Sequence, residues 1–130
     1  MFEGQVTSIE QSNKLISLGI PAENASMVWT TVNGHKTVVD RDLCLPENIE
    51  GYAFTVADLM GIIPNPFMCE GKLYYLSIIK TETGYYVKYY CKDNNDSFAI
   101  LPRWTEIINV LFDAYVCLMN KTKHILCNAR

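Results

Sequence analysis

The stretch LYYLSIIKTETGYYVKYYCK, Leu73 to Lys92, holds six of the chain's eight tyrosines. Two runs rich in β-branched and aromatic residues flank Glu82-Thr83-Gly84, so the segment reads as two strands joined by a tight loop. Glycine at the third loop position fits a type I turn followed by a bulge. Such a loop pairs Thr81 with Tyr85. Tyr75, Ser77 and Ile79 then share an uncharged face with Val87, Tyr89 and Cys91, which is the expected core side. Tyr74, Leu76, Ile78 and Lys80 share the opposite face with Tyr86, Lys88, Tyr90 and Lys92. Side chains alternate with a period of two, so a slip of one residue would exchange the two faces.

On the second face Tyr74, Tyr86 and Tyr90 alternate with Lys80, Lys88 and Lys92, and these six form the candidate interaction surface. The plainest reading is a solvated sheet face on which lysine stems lie along tyrosine rings. The others are docking to a protein partner and stacking of single-stranded nucleic acid on rings beside cations. A net charge of −3 argues against a general affinity for nucleic acid. Local charge points the other way: residues 72–92 carry four lysines and one glutamate, whereas residues 37–58 carry five acidic residues and one arginine. A chain this lopsided suits docking to another lopsided surface.

Working toward the N-terminus, FTVADLMGIIP has Thr55 as a cap, Asp58 three residues on and Phe54 placed to staple to Leu59. Gly61 and Pro64 confine that helix to about residues 56–60. PNPFMCEG, which follows it, reads as a connector, and DRDLCLPENIEG (Asp40–Gly51) as an acidic loop. In MVWTTVNGHKTVV, two β-branched runs flank Asn33-Gly34, the pair that best tolerates the positive φ angles of a type I′ turn. Strands are expected near 27–32 and 35–39. In TSIEQSNKLISLG, Thr7 and Glu10 have capping-box spacing, and Gly19 with Pro21 ends a helix over about 8–18. Leu15 and Ile20 stand where a Schellman end makes its hydrophobic contact.

Toward the C-terminus, DNND (Asp93–Asp96) reads as a polar turn and SFAIL as a short third strand. Pro102 is then expected to open a long helix, PRWTEIINVLFDAYVCLMNK. Trp104, Ile107, Ile108, Leu111, Phe112, Tyr115, Leu118 and Met119 form its apolar stripe. Val110, Ala114 and Cys117 form a flanking row of small residues. That row is filled either by the first helix or by the same row of a second copy in a homodimer. The order predicts an α+β fold: an antiparallel sheet, made of the N-terminal hairpin and a C-terminal three-stranded meander, packed by an N-terminal helix and a long C-terminal helix, with a short middle helix.

The 130 residues suit a single domain, 1–130, large enough to bury a core unaided. Apolar residues make up 49% and charged residues 19%, so charge is sparse and a partner surface is favoured. The start, MFEGQVTSIEQ, lacks the basic and apolar runs of a leader, and no run spans a bilayer, so a cytoplasmic location and no membrane association are expected. Five well-separated cysteines (44, 69, 91, 117 and 127) read as small buried hydrophobes in a reducing compartment.

No constellation of catalytic residues stands out. His35 follows a turn and has no evident acid–base partner. His124 and Cys127 lack two further zinc ligands. DNND lacks the glycine and the closing carboxylate of a calcium loop, where Phe98 and Trp104 stand. Asp40-Arg41-Asp42 reads as a solvated loop. Neither a phosphate-binding glycine loop nor a serine nucleophile elbow is present. No metal or other cofactor is expected, and the chain is expected not to be an enzyme.

Together, TSIEQSNKLISLGI with an aromatic strand after it, FTVADLMGIIP, the KTETGYYVKYY hairpin and the last apolar helix resemble a loose group of small uncharacterised proteins from gut Bacteroidetes and their phages or mobile elements. The resemblance spans about Thr7 to Met119 and rests on caps, a stop and a hairpin. It implies a cytosolic bacterial or phage accessory protein and assigns no site residue. The expected function is a non-enzymatic protein-interaction or accessory role. The alternative is weak binding of single-stranded nucleic acid on the Tyr/Lys face.

Overall fold

A computed structural model describes residues 2–93, 97–104 and 106–119. The fold is α+β as expected, but the seven strands among the described residues form two antiparallel sheets rather than the single expected one. The chain divides into two compact units, Met1–Gly61 and Ile62–Arg130.

The first unit contains α1 (Ile9–Ser17), the hairpin β1 (Met27–Val32) and β2 (His35–Asp40), then β3 (Gly51–Ala53) and α2, which runs from Val56 to Ile62. Its sheet has the order β2-β1-β3. Asn33 and Gly34 have φ of 52° and 81°, as the expected turn requires. The capping box of α1 lies one residue later than expected. Ser8 accepts from the Gln11 amide at 3.0 Å, and its own amide donates to the Gln11 side chain at 2.9 Å. The C-terminal end is the expected Schellman motif, with the Ile20 amide on the Leu15 carbonyl and the Gly19 amide on that of Ile16. Leu15 and Ile20 are both buried.

Thr7 is free of the cap because it is used elsewhere. It is fully buried, and its backbone amide donates to the Phe54 carbonyl at 2.9 Å. Its hydroxyl accepts from the Phe54 amide at 2.9 Å and lies 2.7 Å from the Ser12 hydroxyl. The Ser12 proton is committed to the Ser8 carbonyl, so Thr7 donates to Ser12. The Thr7 carbonyl accepts from the Trp29 indole at 3.1 Å. One residue thus joins α1, β1 and the segment after β3. Around it Val6, Trp29, Val38 and Ala53 form a core with Ile9 and Met27 packed against it. A Cβ on Gly51 would come within 2.7 Å of Ile9, so glycine sets how closely α1 approaches β3.

At α2 the expected cap holds: the Asp58 amide donates to the Thr55 hydroxyl and the Thr55 amide to the Asp58 carboxylate, both at 3.0 Å. Asp58 also accepts from the Ser26 amide at 2.9 Å and the Ser26 hydroxyl at 2.6 Å, which ties α2 to the entrance of β1. Burial alone would raise its pKa, but the bonds from Ser26 and Thr55 outweigh burial and hold it below the usual 3.8.

The second unit contains β4 (Phe67–Cys69), β5 (Lys72–Thr81), β6 (Gly84–Tyr90) and β7 (Ser97–Trp104), in that order across the sheet, followed by α3 (Ile107–Cys117). PNPFMCEG is therefore more than a connector. It carries β4 and a two-residue turn in which Glu70 and Gly71 have φ of 51° and 77°. The expected helix start at Pro102 is corrected, since Pro102 and Trp104 belong to β7. A proline is tolerated there because β7 is an edge strand with a bulge: between the pairs Val87–Ile100 and Tyr85–Trp104 it has three residues where β6 has one.

α3 packs on β6 and β7. Its buried residues are Ile108, Val110, Leu111, Ala114 and Tyr115. Among the described residues, no helix is long and apolar enough to cross a membrane.

Two outcomes test the first unit. Thr7→Val leaves the Phe54 amide and the Ser12 hydroxyl short of a partner, so urea denaturation should show a loss of roughly 1–3 kcal/mol, with Thr7→Ser much milder. The folded pKa of Asp58 is depressed, so its contribution is fully present above the unfolded value and is lost as pH falls through the lower folded value. Between about pH 5 and 2, the stability of Asp58→Asn should therefore fall less steeply than that of the parent.

Candidate interaction surface

The register of β5 and β6 decides which tyrosines are buried and which are exposed. The loop between them has two residues, not three, so Thr81 pairs with Gly84. The Thr81 hydroxyl accepts from the Thr83 amide at 3.3 Å and donates to the Gly84 carbonyl at 3.1 Å, closing the turn without Gly84 as a loop residue. Every pair moves by one. Tyr75 lies opposite Tyr90, Ser77 opposite Lys88 and Ile79 opposite Tyr86, while Leu76, Ile78 and Lys80 face Tyr89, Val87 and Tyr85.

The assignment of β6 therefore stands and that of β5 inverts. Tyr74, expected on the open face, is 1% exposed and shares the covered side with Val87, Tyr89 and Cys91. Tyr89 meets Phe67 ring to ring at 5.7 Å and donates its hydroxyl to the Pro64 carbonyl at 2.8 Å. Burial pushes its phenol far above the ordinary range. On the other side Tyr86 and Lys88 stay half-exposed and Tyr90 is exposed, so α3 lies over the Val87 and Tyr89 side. Lys80 falls on that side too. It sits next to the turn, where it remains exposed, with its ammonium 5.9 Å from the Tyr85 ring.

Of the six residues singled out from sequence, Tyr86, Lys88, Tyr90 and Lys92 come together and Tyr74 and Lys80 do not. Tyr75, Ser77 and Ile79 replace them. Tyr75 and Tyr90 lie 6.1 Å apart with rings tilted by 40°, and the Lys92 ammonium stands 5.1 Å from the Tyr75 ring. β4 extends the surface further, because Met68 pairs with Leu73 on this same side. Met68 is 58% exposed and Leu73 39%. The Glu-Gly turn after PNPFMC was the available signal for this extension. The face is thus an apolar and aromatic patch across β4, β5 and β6, with two ammonium groups.

The other sites singled out from sequence gain nothing. Val110 and Ala114 are buried within the chain, so the self-association row is not an open surface, and Cys117 is half-buried. His35 is exposed on β2. His124, Cys127 and residues 94–96 of DNND lie outside the described residues. Among the described residues, no three His, Cys, Asp or Glu side chains gather as metal ligands would.

Comparison with protein-family models, with curated proteins and with solved structures finds no match to this chain.

The inverted register makes opposite demands on two adjacent residues. In thermal or urea unfolding, Tyr74→Ala should lose about 3–5 kcal/mol, as buried aromatics do. Tyr75→Ala should lose about 1 kcal/mol or less, as for an open cross-strand pair. The reverse order would restore the three-residue loop.

Proposed function

We propose that the chain is a small non-enzymatic interaction protein and that the open face of β4, β5 and β6 is its docking surface for a protein partner. The observation that supports this most directly is the contiguous exposure of Met68, Leu73 and Tyr90 around Tyr75. Large side chains left in water on a rigid sheet mark an interaction patch, and aromatic residues are favoured at the centres of interfaces. The resemblance to accessory proteins of gut Bacteroidetes and their phages or mobile elements supports a cytoplasmic bacterial or phage setting.

The second reading, binding of single-stranded nucleic acid, keeps the Lys92–Tyr75 contact and the central Lys88 in its favour. It loses Lys80, one of the three cations on which it rested. A patch with two ammonium groups in a chain of net charge −3 suits a protein partner better.

A photo-crosslinking residue at Ser77, at the middle of the face, separates the readings in cells that make the protein. The expected result is an adduct with one protein, lost when Lys88→Glu and Tyr90→Ser are combined. No adduct from Ser77 would sink the docking surface. Steeply salt-dependent binding of single-stranded oligonucleotides, abolished by Lys88→Ala with Tyr90→Ala, would put the second reading first.

A further inference from the structure

A separate groove lies in the first unit. It has a volume of about 570 Å³ and is bordered by Thr30, Val32 and Val39 on one face of the sheet and by the 43–50 segment. The walls are firmly tied. The Thr30 hydroxyl donates to the Asn48 carbonyl at 2.8 Å and that of Thr31 to the Glu50 carboxylate at 2.6 Å. Two short 3₁₀ turns, Arg41–Leu43 and Pro46–Asn48, close with backbone bonds to Cys44 and Ile49. These ties leave Leu43 83% exposed and Leu45 60% exposed. A loop that is bonded at both ends yet holds two leucines in water is an apolar wall without its complement.

Charge indicates what that complement is. Glu47 and Glu50 line the groove, and no lysine or arginine is among its lining residues. The Glu50 carboxylate is turned to the Thr31 hydroxyl at 2.6 Å and to the Lys36 ammonium at 3.8 Å, on the other face of the sheet, which leaves Glu47 as the carboxylate at the groove. The surrounding segment, residues 37–58, has five acidic residues against one arginine. The volume matches a few side chains, as in ordinary recognition clefts.

We infer that this groove binds a short extended peptide of another protein, in which an aliphatic or aromatic side chain lies beside a lysine or arginine. The apolar side chain sits against Leu43, Leu45 and Val32, and its basic neighbour meets Glu47. This site is independent of the sheet face proposed above and stands or falls separately.

Selection from a random heptapeptide display library on the full chain tests it. The enriched peptides should combine an apolar with a basic residue. Synthetic copies should bind at least about tenfold more weakly to Leu43→Ser with Leu45→Ser. Glu47→Lys should also weaken them, and added salt should do the same to the parent. Alkylation of Cys44, a half-exposed thiol lining the groove, should slow when peptide is bound. The substituted residues are exposed, so unfolding midpoints serve as the control for folding. No enrichment, enrichment of acidic or uncharged peptides, or binding that survives the double serine variant would overturn the inference. Binding lost to Lys88→Glu with Tyr90→Ser, but kept in the groove variants, would assign the peptides to the sheet face and overturn it as well.

Discussion

The pairing of Thr81 with Gly84 governs the second unit, because strand side chains have no intermediate option between two faces. With that pair fixed, Tyr74 is packed in the interior and Tyr75 faces out. With a loop one residue longer, the two would change places, and Leu76 and Ile78 would go out with Tyr74. The turn that decides this is closed by one hydroxyl. Thr81 spans the loop by accepting from Thr83 and donating to Gly84, which opens β6 with a φ of 148°. Phe67 then adds an independent constraint. It pairs with Tyr74 and meets the Tyr89 ring at a 50° tilt, which is consistent only if Tyr74 and Tyr89 lie on the same side.

The first unit depends on a different kind of constraint. Thr7 is buried with all its polar atoms engaged, and every bond it makes reaches another element. Such a network rigidifies when complete and is costly when one member is missing. Asp58 does similar work at the surface, joining the start of α2 to the residue before β1. Thr7, together with the close approach of Ile9 to Gly51, sets how the short β3 is held against α1.

Much of this was legible in the chain. The Gly19 stop, the Asn-Gly hairpin and the Thr55–Asp58 cap all rest on local chemistry that one sequence window contains, and all three form as expected. What the sequence did not reveal was competition. Thr7 and Ser8 are both competent caps, and Thr7 was withdrawn by a partner 47 residues away. Pro102 fits the first turn of a helix or the bulge of an edge strand equally well, and only the pairing of β7 with β6 distinguishes them. The candidate surface was half legible for the same reason. β6 alternates cleanly and was assigned correctly, while β5 is apolar on both faces, so its orientation came entirely from the loop length.

That last feature also bears on why the surface exists. A strand with one face to bury needs apolar residues at alternate positions, and β5 has them at nearly every position from Leu73 to Ile79. α3 covers β6 and β7 on one side of the sheet. The second apolar set on β5, Leu73, Tyr75 and Ile79, gains nothing from that helix. Aromatic and β-branched residues do raise strand propensity on their own, which accounts for Tyr75 and Ile79 in part. Propensity gives no reason for Met68 and Leu73 to stand opposite each other in water on the same side, since neither is β-branched or aromatic. The proposed protein partner would account for all four residues at once. The lysines fit the same account: Lys88 and Lys92 keep an apolar face soluble while it is open, and their stems can lie along Tyr75 and its neighbours when it is covered.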